Sequence, residues 1–226
     1  MLSFTEELHT LIVAPFPYVS LVTYEESRVL GMLSQLAGAM KKQLAVWRPE
    51  EHDDPATSLD GLIASLPQMP KGLLTVLIDA HPYLGDPARA RRMRAHQAAI
   101  MGAEATVFLI GPRPVVPPEL AKDITVVDVP LPDREELSRI LQRSLSREEL
   151  TGADVERISL AALGLTAREA LRTFRKAAHL ASLQRAKRRP FKWEAAVVAE
   201  KRRLMASAGA LEFSEHTHSL ADVGGL

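Results

Sequence analysis

The stretch Thr75-Val-Leu-Ile-Asp79-Ala-His-Pro-Tyr83 joins a short apolar run to an aspartate and a small loop. The run that begins at Leu73 is apolar on both faces, which is typical of a parallel strand covered by helices on each side. An aspartate after such a strand is a frequent position for the carboxylate that holds magnesium in phosphate-handling folds. The stretch therefore predicts an α/β fold and raises the question whether the chain has a working nucleotide site.

Composition narrows the class of protein. The chain has 226 residues, 28 basic against 28 acidic side chains, and no cysteine. Its length suits one or two domains, and the balanced charge gives no global attraction to nucleic acid or membranes. Two glutamates stand where a signal peptide would carry positive charge, and every apolar run is too short to span a bilayer. We expect a cytoplasmic protein without disulfides, thiolate metal sites or a membrane partner.

Five short apolar runs rich in β-branched residues predict strands, and the segments between them have helical spacing. The predicted strands are residues 18–23, 44–47, 73–79, 105–110 and 124–129. Three helices are predicted between the strands. The first is capped by Thr23, with Glu26 completing a capping box, and the other two cover residues 57–66 and 86–101. Strands separated by helices indicate parallel pairing. We therefore predict an α/β base with a five-stranded parallel sheet.

The predicted strands stop at residue 133. Helical patterns cover residues 133–144, 151–162, 166–188 and 193–205. The third has a capping box formed by Thr166 and Glu169, and Pro190 is expected to stop it. The sequence thus predicts an α/β base at 1–132, a small helical lid at 133–205 and a linker at 206–226. The linker has too few apolar residues to bury itself, so we expect it to be poorly ordered.

This order of elements, and three motifs, resemble AAA+ ATPase modules. Pro130-Leu-Pro-Asp-Arg-Glu-Glu-Leu-Ser-Arg-Ile-Leu141 resembles the run that joins an AAA+ base to its lid. Gly164-Leu-Thr-Ala-Arg-Glu-Ala170 is similar to the start of a lid helix. Ser219-Leu-Ala-Asp-Val-Gly-Gly-Leu226 is similar to the "D-V-G-G-L" that opens the catalytic module of many AAA proteins. The resemblance implies a fold of the P-loop NTPase type.

The whole chain resembles the N-terminal region of an AAA ATPase group found in cyanobacteria, plastids and other bacteria. The motifs shared with that group are Leu21-Val-Thr-Tyr-Glu-Glu26, His81-Pro-Tyr-Leu84 and Pro117-Pro-Glu-Leu120. The resemblance implies that a C-terminal AAA module follows, and that ATP and magnesium bind only there. It also implies a homo-oligomer acting on a protein client. Since the sequence stops at Gly224-Gly-Leu226, we expect it to be a fragment of that ATPase.

The sequence lacks the phosphate loop that nucleotide hydrolysis needs on this fold. In the motif G-x-x-x-x-G-K-[ST], backbone N–H groups and a lysine hold the phosphates, and the hydroxyl holds magnesium. Here the first strand runs into Thr23-Tyr-Glu-Glu-Ser-Arg28, and the motif occurs nowhere in the chain. Two glutamates stand where a triphosphate needs positive charge.

Three other parts of an AAA+ catalytic site are also incomplete. Asp79 is present, but Ala80 occupies the position of the water-activating glutamate. The fourth strand ends at Gly111 instead of a polar residue, and Ala121-Lys-Asp123 offers no arginine finger. We therefore predict no catalytic residue and no cofactor-binding residue in this chain, and interpret Asp79 as the cap of the turn before His81.

Other chemistry-bearing residues admit simpler interpretations. Asp79 with His81, or His216 with His218, lacks a recognisable metal-ligand spacing, so we predict no metal ligand. The arginines at 89–94 place Arg89 and Arg92 on one helix face, where an anionic partner would fit. Residues 185–203 hold eight basic side chains with interleaved aromatics. We favour a solvated lid helix there over a nucleic-acid contact.

Two functions follow from this reading. The leading interpretation is a non-catalytic regulatory, assembly or partner-binding domain that precedes the active module of an AAA+ ATPase. The alternative is a DNA-associated structural subunit like the clamp-loader subunits that keep the fold without a phosphate loop. The next residues of the reading frame distinguish them, because only the first interpretation requires a G-x-x-x-x-G-K-[ST] motif there.

Overall fold

The computed structural model describes residues 3–114, 116–145 and 150–207. The chain forms two compact units, one ending at Pro130 and one beginning at Leu131. We call them the base and the lid. The division into 1–132, 133–205 and 206–226 stays a prediction, and nearly all of the predicted linker lies outside the described residues.

The base contains a parallel sheet, which confirms the predicted α/β class. Within the described residues it has five strands in the order β2-β3-β4-β1-β5. Their bounds are β1 Tyr18–Val22, β2 Leu44–Trp47, β3 Leu74–Ile78, β4 Thr106–Gly111 and β5 Ile124–Asp128. Each lies within two residues of its predicted bounds. The strand with the quoted motif, β3, lies between β2 and β4 and is buried along its whole length.

Helices cover both faces of the sheet. Their bounds are α1 Phe4–Val13, α2 Glu26–Ala39, α3 Pro55–Ser65 and α4 Pro87–Gly102. Successive residues of a strand point to opposite faces, and β4 shows this clearly. Its Phe108 and Ile110 pack with α1 and α2, whereas Val107 and Leu109 pack with α3 and α4. Each face of the sheet therefore has its own core, and the parallel pairing brings the carboxyl ends of the strands to one edge.

Two local predictions in the base were wrong or incomplete. Helix α1 was not predicted, although Ser3 and Glu6 form a capping box and Leu8, Leu11 and Ile12 are buried. The predicted capping box of α2 is absent from the described structure. Glu25 is the N-cap residue of α2, and the Thr23 hydroxyl accepts a hydrogen bond from the Glu25 amide at 2.9 Å. Helix α2 begins at Glu26, so Thr23 lies two residues before the N-cap position and not at it.

The lid consists of helices within the described residues. Their bounds are α5 Arg134–Ser144, α6 Gly152–Ala161, α7 Ala167–Ala186 and α8 Trp193–Ser207. Leu137, Ile158, Phe174 and Val197 each bury their side chains in a common core. The predicted capping box of Thr166 and Glu169 is present. Helix α7 ends before Pro190, because Arg188 adopts a left-handed conformation with φ of 52°. No helix in the described ranges is long and apolar enough to cross a membrane.

Candidate functional site

The carboxyl edge of the sheet is where a doubly wound α/β protein binds its ligands. Because β3, β4 and β1 are adjacent and parallel, the connections that follow them lie side by side there. These are the three connections that the sequence analysis compared with an AAA+ nucleotide site.

The β1–α2 connection contains only Thr23, Tyr24 and Glu25. The Thr23 amide donates to the Gly111 carbonyl at 2.8 Å, and the Glu25 amide donates to the Thr23 hydroxyl at 2.9 Å. A phosphate loop instead directs several backbone N–H groups at the anion. Two of the three backbone amides in this connection therefore have hydrogen-bond acceptors within the protein. Tyr24, between them, is 85% exposed.

A buried ion pair lies at the start of α2. Glu25 Oε2 is 3.0 Å from Arg28 Nη1, and the two side chains are 6% and 12% exposed respectively. Arg28 Nη1 also donates to the Pro130 carbonyl at 2.7 Å. The cation near the first turn of α2 is thus engaged by a carboxylate of the same turn. A phosphate at this place would meet the Glu25 charge.

Asp79 follows β3 in a left-handed conformation, with φ of 45°. Its amide donates to the Ile110 carbonyl at 2.9 Å, and its Oδ1 lies 3.8 Å from His81 Nδ1. The predicted capping of the turn by the Asp79 side chain is not seen in the described structure. The Ala80 carbonyl closes that turn, accepting from the amides of Tyr83 at 3.0 Å and Leu84 at 3.2 Å.

Ala80 and Gly111 stand where an AAA+ catalytic site has longer polar side chains, and both positions are closely packed. Ala80 is 2% exposed and packs in the core, so a longer side chain at this position would start inside the base and not at its edge. A Cβ atom on Gly111 would lie 3.2 Å from Asp79 Oδ1 and 3.5 Å from His81 Nδ1. A side chain at the end of β4 would therefore press on the Asp79 carboxylate, which would have to move by a few tenths of an ångström.

Metal ligation has little support in the described part of the chain. His81 Nδ1 is buried there without a hydrogen-bond partner. The described residues contain no group of three or more His, Cys, Asp or Glu side chains that could hold a metal ion. His216 and His218, for which no metal site was predicted, lie outside the described residues.

A cleft of about 410 Å³, which was not predicted from the sequence, lies beside this edge. It lies between the segments that follow β3 and β4, and His81, Arg113 and Glu119 are its polar lining residues. Four prolines line it as well: Pro87, Pro114, Pro117 and Pro118. The clustering of prolines after β4 was visible in the sequence, but their position opposite His81 depends on the sheet order.

An anionic partner of Arg89 and Arg92 was the less favoured alternative in the sequence, and the structure places such a group there within the base itself. Arg89 makes a bidentate contact with Asp60, with Nε–Oδ1 at 3.0 Å and Nη2–Oδ2 at 2.9 Å. Arg92 Nη2 donates to Asp60 Oδ1 at 2.7 Å. The hydrogen bond from Arg89 holds the pKa of the Asp60 carboxyl below its usual value. This pair of arginines therefore ties α4 to α3.

The basic segment at 185–203 divides into two parts. Within α8, Arg203 donates a hydrogen bond to Glu200, and Lys176 of α7 donates to the same carboxylate. Lys201 donates to the Leu163 carbonyl. The α7–α8 connection is different, because its cations project beside two aromatic rings. Phe191 and Trp193 make an edge contact, with ring centroids 5.3 Å apart, and pack against the lid core. Both rings pack inward, as the preferred interpretation expected, but they remain partly exposed.

Comparisons with known proteins agree with this architecture. The model of the family described as SpoVK-like AAA ATPase, N-terminal domain, matches residues 4–129. The Guillardia theta protein named uncharacterised AAA domain-containing protein ycf46 is 24% identical over 241 residues. That match covers 100% of this chain and 46% of the relative, so the chain spans about half of its length.

Two solved structures share the fold. The FIGL-1 AAA domain in complex with ADP superposes with a TM-score of 0.62 at 12% identity, covering 92% of this chain and 87% of that chain. The Thermotoga maritima RuvB Holliday junction branch migration motor gives a TM-score of 0.58 at 14% identity, covering 92% and 71%. These two likenesses show the fold, and the family match covers most of the base. The chain therefore belongs to the SpoVK-like AAA ATPase N-terminal domain family and forms an AAA+ N-terminal region.

Proposed function

We propose that this chain is a non-catalytic regulatory, assembly or partner-binding domain of an AAA+ ATPase. The observation that carries the proposal is the β1–α2 connection. This connection has three residues, whereas a phosphate-loop motif has roughly eight. The ion pair of Glu25 and Arg28 lies where the connection enters α2. Since hydrolysis of a nucleotide on this fold depends on a phosphate cradle, the domain contributes through contacts and not through chemistry.

The direct test is calorimetric titration of the chain with Mg-ATP. We expect no binding tighter than about 100 μM, because the connection supplies neither the lysine nor the free amides that hold phosphates. Titration of the FIGL-1 AAA domain, which was solved with ADP, serves as the positive control. Binding in the micromolar range that depends on magnesium would contradict the proposal.

The partner in this proposal is a C-terminal AAA module of the same polypeptide, which binds ATP and magnesium and assembles into a homo-oligomer. The coverage of the relative supports this view, because more than half of that AAA protein has no counterpart in this chain. A G-x-x-x-x-G-K-[ST] motif downstream in the natural reading frame is the first expected observation. The protein client and a cytoplasmic location belong to the same proposal.

A regulatory role has a measurable consequence. Deleting residues 1–205 from the longer protein is expected to change its ATPase rate or its oligomeric state, measured by phosphate release and by light scattering. If the truncated protein keeps the same rate, the same oligomer and the same dependence on client, the domain does not regulate or assemble the ATPase.

A further inference from the structure

The balanced net charge hides a strongly basic part of the lid. Residues 170–193, which cover most of α7 and its connection to α8, contain no Asp or Glu. They contain eight basic residues: Arg172, Arg175, Lys176, Arg185, Lys187, Arg188, Arg189 and Lys192. A surface of one sign attracts a polyanion even when the molecule as a whole is neutral.

The cations at the α7–α8 connection are not neutralised by the described protein. Lys187, Arg188, Arg189 and Lys192 are exposed, and within the described residues none makes a side-chain hydrogen bond or an ion pair. Elsewhere in the chain, Arg89 and Arg203 have carboxylate partners. Like charges at adjacent positions repel one another, so an anionic partner would relieve their repulsion.

The same connection forms a cleft of about 500 Å³, which we call the basic cleft. Its lining residues are Ala181, Arg185, Arg188, Arg189, Phe191 and Trp193. The backbone of the cleft is fixed, because the amides of Lys187 and Arg189 both donate to the Gln184 carbonyl at 3.0 Å. Guanidinium groups beside partly exposed aromatic rings are the combination that binds single-stranded nucleic acid, through phosphate contacts and base stacking.

We propose that the basic cleft binds single-stranded nucleic acid. Unpaired bases can stack on Phe191 or Trp193, whereas the bases of a duplex are already stacked. An acidic polypeptide would use the charges but gain nothing comparable from the rings. This inference does not depend on the regulatory role, because it concerns a surface of the lid and not the carboxyl edge of the base.

Fluorescence anisotropy with labelled dT20 tests the proposal on the full 226-residue chain. We expect a Kd of about 10–100 μM at 50 mM salt, which is weaker than typical non-specific binding because only four cations contribute. Four neutralised phosphates predict a slope of about −2.8 in log K against log salt, so binding weakens about 50-fold between 50 and 200 mM. The double variant R188A/R189A should lower the slope to about −1.4.

A matched control removes the same charge elsewhere. Arg91 and Lys122 are exposed on the base, and R91A/K122A should leave both the Kd and the slope unchanged. Stacking is read from the fluorescence of Trp193 in a W47F background, since the chain has only two tryptophans. We expect dT20 to quench it, while circular dichroism verifies that W47F is folded.

Several outcomes would overturn the proposal. Absence of dT20 binding at 50 mM salt, or equal weakening by R91A/K122A, would show that the basic cleft is not the site. Duplex DNA that binds as tightly as dT20 would contradict recognition of a single strand. Polyglutamate of equal charge could also displace dT20, and dT20 could fail to quench Trp193. Those two results together would show that the basic cleft is a site for acidic polypeptides.

Discussion

The ion pair between Glu25 and Arg28 gives the sharpest test of how the β1–α2 connection is held. Both side chains are almost fully buried, and Arg28 also binds the Pro130 carbonyl. The perturbation is a double-mutant cycle with Glu25→Gln, Arg28→Met and the combined variant. Each partner has further contacts, so the coupling free energy between them, and not either single loss, measures the pair.

The expected magnitudes follow from burial. Removing one member of a buried pair leaves the other charge unpaired, which costs about 3–5 kcal/mol, so we expect about 3 kcal/mol for Arg28→Met. The base ends at Pro130, and for a unit of that length 3 kcal/mol lowers Tm by about 11 °C. The combined variant should recover much of this loss, giving a coupling of about 2 kcal/mol.

Urea denaturation followed by Trp47 fluorescence in a Trp193→Phe background reports on the base alone. Arg48 and Glu51 provide the control, because they have the same i,i+3 spacing and the same 3.0 Å distance but are 29% and 51% exposed. Their coupling should be below about 0.5 kcal/mol, as for surface pairs. A coupling for Glu25 and Arg28 that is no larger than this control would refute the claim that burial makes their pair structural.

Three further predictions concern single side chains. Asp60→Asn should destabilise the base by about 1 kcal/mol at pH 7. Because Arg89 lowers the pKa of Asp60 below 3.8, the deficit should shrink as pH falls through that lower value, and a constant deficit in urea melts at pH 7 and 3 would contradict this. Glu200→Gln should cost the lid about 2 kcal/mol, since hydrogen bonds from its two basic partners lower the pKa of Glu200 to about 2. That loss should be complete above pH 4.5 and decline toward pH 2 in the same melts, whereas an unchanged stability at pH 7 would exclude the link between α7 and α8. Tyr18→Phe should cost about 1 kcal/mol in thermal unfolding, because the buried hydroxyl donates to the Met93 carbonyl at 2.8 Å; a neutral result would mean that this bond adds nothing net.

The sheet could be predicted from the sequence because its signals are local. Runs such as the one before Asp79 are apolar throughout, and only strands covered on both faces need that pattern. Helix α1 was overlooked even though its signal was equally local: Ser3 and Glu6 have capping-box spacing just before an apolar stripe. This helix could therefore have been predicted from the sequence as well as the strands were.

Other features depend on contacts between residues far apart in the sequence, and no local pattern of residues indicates them. Asp60 precedes Arg89 by 29 positions, and only the packing of α3 against α4 makes them partners. The closeness of Gly111 to Asp79 likewise follows from the adjacency of β3 and β4. In contrast, the missing phosphate loop was evident from residue types alone, because its chemistry requires glycines and a lysine at fixed spacing.

The length of the β1–α2 connection also limits what substitutions can change in this domain. Substitutions at Thr23, Tyr24 and Glu25 alter the chemistry of the loop but not the path of its backbone. A loop that encircles a phosphate needs roughly five more residues than are present, inserted between the buried strand β1 and the first turn of α2. Under the proposed non-catalytic role, building a nucleotide site here would take an insertion and the removal of the Glu25–Arg28 pair together. Point mutations alone would therefore not turn this domain into a nucleotide-binding one.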